Sequence, residues 1–159
     1  MYKKYMQSPV GKIVIIEDRG KIIKIDIAKN DKLDYIEEKN TEILLQTEEQ
    51  LKEYFEGKRF NFDLPLNPTG TKFMKSVWEA LENIPYGETM TYKEIAEAVG
   101  NPKASRAVGM ANHKNPIPII IPCHRVIGSN NKLVGYGLGL DMKQYLLELE
   151  REYKKGSDT

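Results

Sequence analysis

The residues best suited to chemistry stand at the end of an apolar run, residues 115–126, which reads NPIPIIIPCHRV. The run holds Cys123, the only cysteine of the chain, and His124, one of its two histidines. A thiol attacks as its thiolate, and a neighbouring imidazolium or helix N-terminus can lower a thiol pKa below its free value of about 8.5. The pairing therefore predicts a nucleophilic cysteine. The alternative is a lone cysteine that acts as a small buried hydrophobe, which is the commoner case without context.

Three prolines punctuate this run and predict its shape. Each fixes φ and removes a backbone donor, so we expect a stiff, extended segment with the isoleucines at 119–121 buried between them. A core strand would not ordinarily lead straight into Cys, His and Arg125, because charged side chains are rarely buried without partners. The context favours a reactive site. The prolines are Pro116, Pro118 and Pro122.

The whole chain sets the class of protein. Its 159 residues, 40% of them apolar, suit one compact unit or two small subdomains. The opening residues lack the apolar region of a signal peptide, and no stretch approaches the ~20 apolar residues of a membrane span. We expect a soluble, cytoplasmic protein with no membrane partner. A single cysteine excludes an internal disulfide and a Cys-rich zinc site, so no metal is expected.

The net charge of +1 hides an uneven distribution. Residues 98–140 carry five basic side chains and no acidic one. A long acid-free basic stretch in a nearly neutral protein predicts a polyanion footprint on one face. A solvated surface that happens to be basic is the alternative. The five residues are Lys103, Arg106, Lys114, Arg125 and Lys132.

The first part of the chain shows no chemistry. Residues 10–17 and 21–27 read as a β-hairpin, in which Ile23, Ile25 and Ile27 form the buried face. A helix follows over about residues 41–56, and residues 61–70 read as a linker. The predicted fold is α/β (α+β): a small N-terminal subdomain with an antiparallel sheet, residues 1–68, packed on a mostly helical C-terminal domain, residues 69–159.

The second part has the pattern of a helix-turn-helix. Thr71 caps a first helix with Trp78 in its core, and Thr91 forms a capping box with Glu94 in the next. Gly100 ends that helix, and residues 101 and 102, Asn and Pro, are expected to start the following one. Two short helices around a glycine turn are typical of DNA-binding proteins.

The last of these helices has two faces at 100° per residue. The inward face carries Ala104, Ala107, Val108 and Ala111. The outward face carries Arg106, Gly109, Met110 and His113. A plain solvated face would usually carry several Glu and Lys, so this one is a candidate nucleic-acid surface.

The C-terminal helix supplies a partner for His124. Met142, Tyr145, Leu146 and Leu149 form its apolar stripe, and Asp141 is expected to cap it. Lys143 and Glu150 lie seven residues apart near one flank. Such side chains are usually solvated, but Glu150 is a candidate to orient His124.

The PCHRV pentad, preceded by NPIPIII and followed by Gly135 and Tyr136, resembles the active-site motif of the O6-alkylguanine-DNA alkyltransferases. The segments TGTKFMKSVWEAL, YGETMTYKEIAEAVG and SRAVGMANHKNPIPIIIPCHRV follow in that family's order, so the similarity covers about residues 69–152. The resemblance implies direct-reversal DNA repair, in which Cys123 accepts the alkyl group in a single turnover. It also implies that no cofactor and no metal take part.

The resemblance further implies roles for the other site residues. His124, acting through a water and oriented by Glu150, yields the thiolate, and Asn115 holds the turn that carries the nucleophile. Tyr92 donates a proton to the departing purine. Lys143 supports that charge shift.

The implied partner is double-stranded DNA that contains O6-alkylguanine, contacted from the minor groove by a monomeric protein; O4-alkylthymine stays open. Arg106 enters the base stack as the lesion swings out. The expected DNA contacts are Lys103, Arg106, Gly109, Met110, Ser129 and Tyr92. The expected pocket for the flipped base is formed by Pro118, Val126, Tyr136 and Gly137. Gly137, Leu138 and Gly139 depart from the pair of glycines that many members have, which leaves the accepted alkyl size open.

Two other functions compete with this one. A helix-turn-helix binding module with a structural cysteine would bind DNA reversibly and form no covalent product. A thiol hydrolase using Cys123, His124 and Glu150 would need an oxyanion hole, and no segment identifiable in the sequence supplies one.

Overall fold

The computed structural model describes residues 1–29, 32–128 and 138–157, with side chains to residue 154. The chain forms two compact units, Met1–Thr69 and Gly70–Thr159. Every helix in the described part is too short or too polar to cross a bilayer. The first unit contains β1 (Tyr2–Ser8), β2 (Gly11–Asp18), β3 (Lys21–Ile27), β4 (Glu37–Glu38) and α1 (Glu42–Phe55). The second contains α2 (Lys72–Glu82), β5 (Met90–Thr91), α3 (Tyr92–Ala98), α4 (Ser105–His113), a 3-10 turn (Cys123–Arg125), β6 (Val126–Ile127) and α5 (Leu140–Ser157).

The sheet of the first unit has the order β3-β2-β1-β4. The hairpin of β2 and β3 is confirmed, but it is extended by β1, which the sequence analysis did not predict. β1 pairs antiparallel with β2 in the register Tyr2↔Glu17 to Ser8↔Gly11. The two-residue β4 adds to β1 in parallel, so the predicted antiparallel sheet acquires one short parallel edge. Such a short edge strand leaves little backbone open to further pairing.

The predicted buried face of β3 is wrong in one respect. Ile25 is buried, but Ile22 is fully buried while Ile23 and Ile27 are only partly covered. The cause is a register shift: Ile16 pairs with Lys24 and Glu17 pairs with Ile22, which leaves Ile23 as the extra residue of a bulge. Since a bulge interrupts the two-residue alternation, Ile22 and Ile25 point to the same side.

The helix α1 begins where the sequence predicts. Thr41 caps it by accepting a hydrogen bond from the Leu44 backbone N–H, and Leu44 and Leu51 are fully buried. The segment predicted as a linker instead pairs with β3, because the Ile22 backbone bonds to both Pro65 and Asn67. This segment therefore belongs to the first unit.

The second unit is assembled around Trp78 of α2. Its indole N–H donates to the Ala111 carbonyl of α4 at 2.9 Å, which joins the two helices. A Cβ at Gly70 would lie 2.5 Å from this ring, so only glycine fits there. Thr71 caps α2, and Thr91 and Glu94 form the predicted capping box of α3. α3 and α4 are thus joined through the turn at Gly100, where φ is +81°.

The start of α4 differs from its prediction. Asn101 does not cap it; the helix starts at Ser105, preceded by a turn in which the Ala104 N–H donates to the Asn101 carbonyl. The glycine turn continues through Pro102 and shortens the helix. Ala107, expected inside, is exposed, whereas Val108 and Ala111 are buried as predicted. Asp141 lies within the first turn of α5, one residue after its start, so it is not the cap either.

Candidate active site

Cys123 is carried by a tight turn, and the expectation of an extended segment is wrong. The Ile121 N–H donates to the Ile117 carbonyl at 3.0 Å, which folds the run back on itself. Ile119 has φ of +75°, a conformation that costs a β-branched residue about 1–3 kcal/mol. Pro122, with φ −79° and ψ 65°, forms an inverse γ-turn that leads into the 3-10 turn. Burial of all three isoleucines is confirmed, and it holds this strained backbone in place.

Two asparagine side chains hold the turn. Asn115 forms a hydrogen bond at each end of the turn: its Nδ2 donates to the Ile121 carbonyl at 2.8 Å, and its Oδ1 accepts from the Ile117 N–H at 2.9 Å. Asn112, from α4, donates to the Cys123 carbonyl at 3.3 Å and also interacts with the Tyr92 hydroxyl. Asn112 was missed by the sequence analysis, although an amide on the inward stripe of a helix is a signal of a functional position.

His124 lies against the carboxylate of Glu150. The ring Nε2 is 2.6 Å from Glu150 Oε2, and both side chains are almost completely buried. A carboxylate requires a donor, so Nε2 carries the proton and Nδ1 is left as the basic nitrogen. Nδ1 has no hydrogen-bond partner among the described residues. The geometry therefore presents a ring whose free nitrogen is able to accept a proton.

The carboxylate of Glu150 is held from three further directions. Arg125 donates to it twice, from Nε to Oε1 at 2.8 Å and from Nη2 to Oε2 at 3.1 Å. The Gly87 N–H donates to Oε1 at 3.1 Å, and Arg125 Nη1 donates to the Ile84 carbonyl at 2.7 Å. The loop after α2 is thus tied to both α5 and the 3-10 turn. Arg125 is only 6% exposed, so it does not belong to the predicted basic surface.

Burial and charge set the protonation of this pair. Burial lowers the pKa of His124, and the charges of Arg125 and Lys143 lower it further, although Glu150 opposes them. Burial alone would raise the pKa of Glu150, but the charges and hydrogen bonds of His124 and Arg125 hold it far below its ordinary range. The site consequently combines a neutral imidazole with an ionised carboxylate at neutral pH.

Lys143 and Tyr92 lie close enough to Cys123 for a charge on its sulfur to raise the pKa of both groups. Lys143 donates from Nζ to the Val126 carbonyl at 2.5 Å, and burial lowers its pKa to about 8. Burial raises the pKa of Tyr92, which keeps its hydroxyl protonated. The site therefore has two potential proton donors beside the thiol. Pro118 and Val126, predicted to line the pocket, are both buried, and Val126 is the residue whose carbonyl Lys143 contacts.

The outward face of α4 is exposed as predicted. Arg106 and His113 are exposed, Met110 is 57% exposed, and Lys103 is exposed in the preceding turn. A Cβ at Gly109 would lie 3.8 Å from the Tyr92 ring, so this face reaches the edge of the site. Ser129, Tyr136 and Gly137, predicted as DNA and pocket residues, lie outside the described residues.

Within residues 1–29, 32–128 and 138–157, no group of three or more His, Cys, Asp or Glu side chains is arranged to hold a metal ion. In one unit, a helix-turn-helix with an exposed arginine stands beside a buried thiol and a histidine–glutamate pair. This combination is typical of DNA-binding proteins that carry a thiol nucleophile.

Comparison with known proteins specifies the family. Residues 72–152 match the family described as 6-O-methylguanine DNA methyltransferase, DNA binding domain, and residues 1–68 match its ribonuclease-like domain. The methylated-DNA–protein-cysteine methyltransferase of Methanosarcina acetivorans is 50% identical over 153 residues, 94% of this chain and 98% of the relative. The constitutive enzyme of Bacillus subtilis is 45% identical over 162 residues, 97% and 98% of the two chains. The chain belongs to the 6-O-methylguanine DNA methyltransferase family.

Solved structures agree with this assignment. The O6-methylguanine methyltransferase of Mycobacterium tuberculosis matches with a TM-score of 0.89 at 39% identity, covering 96% of this chain and 93% of the other. The M. tuberculosis protein in complex with DNA matches with a TM-score of 0.89 at 40% identity, covering 96% and 94%. The predicted family and fold class are confirmed.

Proposed function

We propose that this protein repairs DNA by transferring the alkyl group of O6-alkylguanine to Sγ of its own Cys123. The observation that carries the assignment to these residues is the 2.6 Å contact between His124 Nε2 and Glu150 Oε2, which leaves Nδ1 as a base in the buried site of Cys123. The family membership supports the reaction type. The activity is that of a methylated-DNA–protein-cysteine methyltransferase, which acts once per molecule.

The reaction balances without a cofactor. A water relays the thiol proton to Nδ1 of His124, because adjacent residues in a turn do not face each other directly. The thiolate attacks the alkyl carbon, the new S–C bond forms, and the bond between that carbon and O6 breaks. The electron pair stays on the purine, which takes a proton from Tyr92. Lys143 then stabilises the charge on the tyrosine oxygen.

The thioether product explains the single turnover. None of the described residues offers a group that could cleave a carbon–sulfur bond, so the alkylated Cys123 stays alkylated. The side chains of Asn115 and Asn112 hold the turn that carries Cys123, through hydrogen bonds to the carbonyls of Ile121 and Cys123. Their hydrogen bonds keep Sγ in one position, which is the main requirement of a direct displacement.

The α4 face supplies the DNA contact. Lys103, Arg106 and Met110 are exposed on the side that reaches Tyr92, and the surface approaches the minor groove of the duplex. As the damaged nucleotide swings out of the duplex and into the site, the Arg106 side chain fills the space that the nucleotide leaves in the base stack. Extrusion costs a few kcal/mol and is least for a damaged pair, which favours the lesion over normal DNA. The protein acts as a monomer, and its cytoplasmic location stays a prediction.

The test is a repair assay with limiting protein and excess duplex that contains one O6-methylguanine. We expect guanine to be restored up to one equivalent per protein chain and no further. Continued turnover would contradict an irreversible thioether. Tight binding without any restored guanine would leave a lesion-binding module with a structural cysteine.

A further inference from the structure

Glu150 is held by more donors than the orientation of His124 requires. Its side chain is 1% exposed, yet its two oxygens accept from His124, twice from Arg125 and from the Gly87 backbone. A single hydrogen bond would suffice to align an imidazole. The additional donors therefore need another explanation.

Arg125 is built into the site as firmly as the carboxylate it binds. All three of its donor nitrogens are used, two on Glu150 and one on the Ile84 carbonyl at 2.7 Å. The planar fork of a guanidinium matches both oxygens of a carboxylate, a geometry that a lysine does not reproduce. The side chain cannot leave Glu150 without also releasing the loop after α2.

The charges of the site explain this arrangement. A buried carboxylate needs a counter-charge. If that charge were the proton of His124, the imidazolium would have no free nitrogen to take the thiol proton. A guanidinium is a permanent positive charge in proteins, so Arg125 is able to compensate the charge of Glu150 without taking a proton from His124.

We propose that Arg125 is a positioning residue of the transfer reaction: it neutralises and holds Glu150, so that His124 stays an uncharged base with its proton on Nε2. The inference rests on the proposed function for its consequence in catalysis. The protonation state that it assigns to His124 is a property of the protein before any substrate binds.

Other charged or titratable groups face the same pair from each neighbouring element. Lys143 from α5 and Cys123 from the 3-10 turn lie close to His124, and Tyr86 from the loop after α2 faces both Glu150 and Arg125. Burial raises the pKa of Tyr86 to about 12, so it adds no charge near neutral pH. Burial lowers the pKa of Lys143 to about 8, so its ammonium is still mostly charged near neutral pH and also disfavours an imidazolium. Arg125 remains the group that contacts the carboxylate directly.

The first test reads the state of His124 by nitrogen-15 NMR in the wild-type chain and in Arg125→Met. The signals of the two histidines are separated by assigning His113 through His113→Gln. At pH 7 we expect a neutral Nε2–H ring in the wild type and an imidazolium in Arg125→Met, because the variant removes the guanidinium that contacts both oxygens of Glu150. A neutral Nε2–H ring in both proteins would overturn the inference.

The second test follows alkylation by O6-benzylguanine between about pH 6 and 9. Arg125→Met should react at least about tenfold more slowly at pH 7 and recover as the pH rises and His124 loses its proton. Arg125→Lys should recover only part of the rate, because a lysine ammonium restores the positive charge but does not reproduce the two-point contact of the guanidinium with Glu150. A uniform loss at every pH would indicate a merely structural role and overturn the inference.

A double variant keeps the test decisive if Arg125→Met does not fold. Arg125→Met/Glu150→Gln removes both buried charges and should fold, because a buried ion pair is often replaceable as a whole. Since Arg125 acts through Glu150, the double variant should react within about threefold of Glu150→Gln alone. A further loss of tenfold or more would show that Arg125 acts independently and would overturn the inference.

The matched control is Arg59→Met, which removes an arginine paired with Glu53 at 2.9 Å in the first unit. This variant should keep the wild-type pH profile. A wild-type chain that takes up no alkyl group would overturn the proposed function, whereas the NMR result would still decide the state of His124.

Discussion

The two units bury charged side chains in different ways. In the first unit, Lys3 donates to the Leu33 carbonyl at 2.8 Å, and Glu17 accepts from the Gly20 N–H at 3.2 Å, so each charge is tied to backbone. In the second unit, Lys143 also donates to a backbone carbonyl, but His124, Arg125 and Glu150 bond to one another. Backbone groups cannot change their charge, whereas a network of side chains is able to share and pass a proton. The buried charges of the first unit therefore stabilise its fold, whereas the buried side-chain network of the second unit is also able to transfer a proton.

The largest expected effect is that of Cys123→Ser. We expect alkyl transfer to disappear, because a serine hydroxyl in this site lacks the nucleophilicity of a thiolate. Binding of a duplex with O6-methylguanine should change by less than about twofold, since the exposed face of α4 is untouched. Loss of both transfer and binding, measured by fluorescence anisotropy, would make the cysteine a structural residue.

Glu150→Gln should lower the transfer rate about a hundredfold, within the usual contribution of acid–base catalysis. The amide cannot raise the pKa of His124 as the carboxylate does, so the base is weaker and the rise of the rate with pH moves to lower pH. Stopped-flow rates against pH measure this shift. An unchanged profile would exclude Glu150 from the relay.

The same variant has a second signature in stability. The pKa of Glu150 is lower in the folded chain than in the unfolded one, so its contribution is present above about pH 4.3 and is lost as the pH falls. Glu150→Gln should therefore flatten the acid limb of the unfolding free energy. Urea unfolding of both proteins at several pH values between about 3 and 6 measures how the free energy of unfolding changes with pH. Equal acid limbs in both proteins would contradict the network as drawn.

Arg106→Ala separates DNA handling from chemistry. We expect repair of duplex DNA to slow at least about tenfold, because extrusion of the base costs a few kcal/mol that the arginine offsets. The reaction with free O6-benzylguanine, which needs no extrusion, should stay within about twofold of wild type. Equal losses on both substrates would remove the flipping role.

The smallest effect on transfer is expected from Leu44→Ala in the first unit. Leu44 is fully buried in the sheet–helix core, so its truncation should cost about 2–5 kcal/mol of unfolding free energy. The transfer rate of the folded protein should not change, since the network lies in the other unit. A loss of rate in protein that circular dichroism shows to be folded would contradict the division between the two units.

The sequence predicted the parts of the fold that local chemistry determines. The predicted capping threonines 71 and 91 mark the helix starts correctly, because a cap is a local hydrogen bond. The strand β1, the bulge at Ile23 and the late start of α4 escaped prediction. The strand and the bulge depend on how neighbouring strands pair, and the start of α4 depends on the turn that the Asn101 carbonyl closes with the Ala104 N–H.

The reactive residues of the site were predictable, but of its supports only Asn115 was predicted, whereas Asn112 and Arg125 were not. Cys123, His124 and Glu150 combine residue types with an obvious chemistry, and the structure brings the histidine and the glutamate together. Arg125 looked like surface charge, because only the fold reveals that a helix 25 residues further on supplies its carboxylate. The strained φ of Ile119 carries no sequence signal, since a β-branched residue is a poor choice for it.

The most direct test of the account is intact-protein mass spectrometry after reaction with a duplex that contains one O6-methylguanine, followed by peptide mapping. We predict that each chain gains the mass of one methyl group in place of one hydrogen, that the gain stops at one, and that it maps to Cys123. A methyl group on any other residue, or no gain while guanine is restored, would contradict transfer to this cysteine.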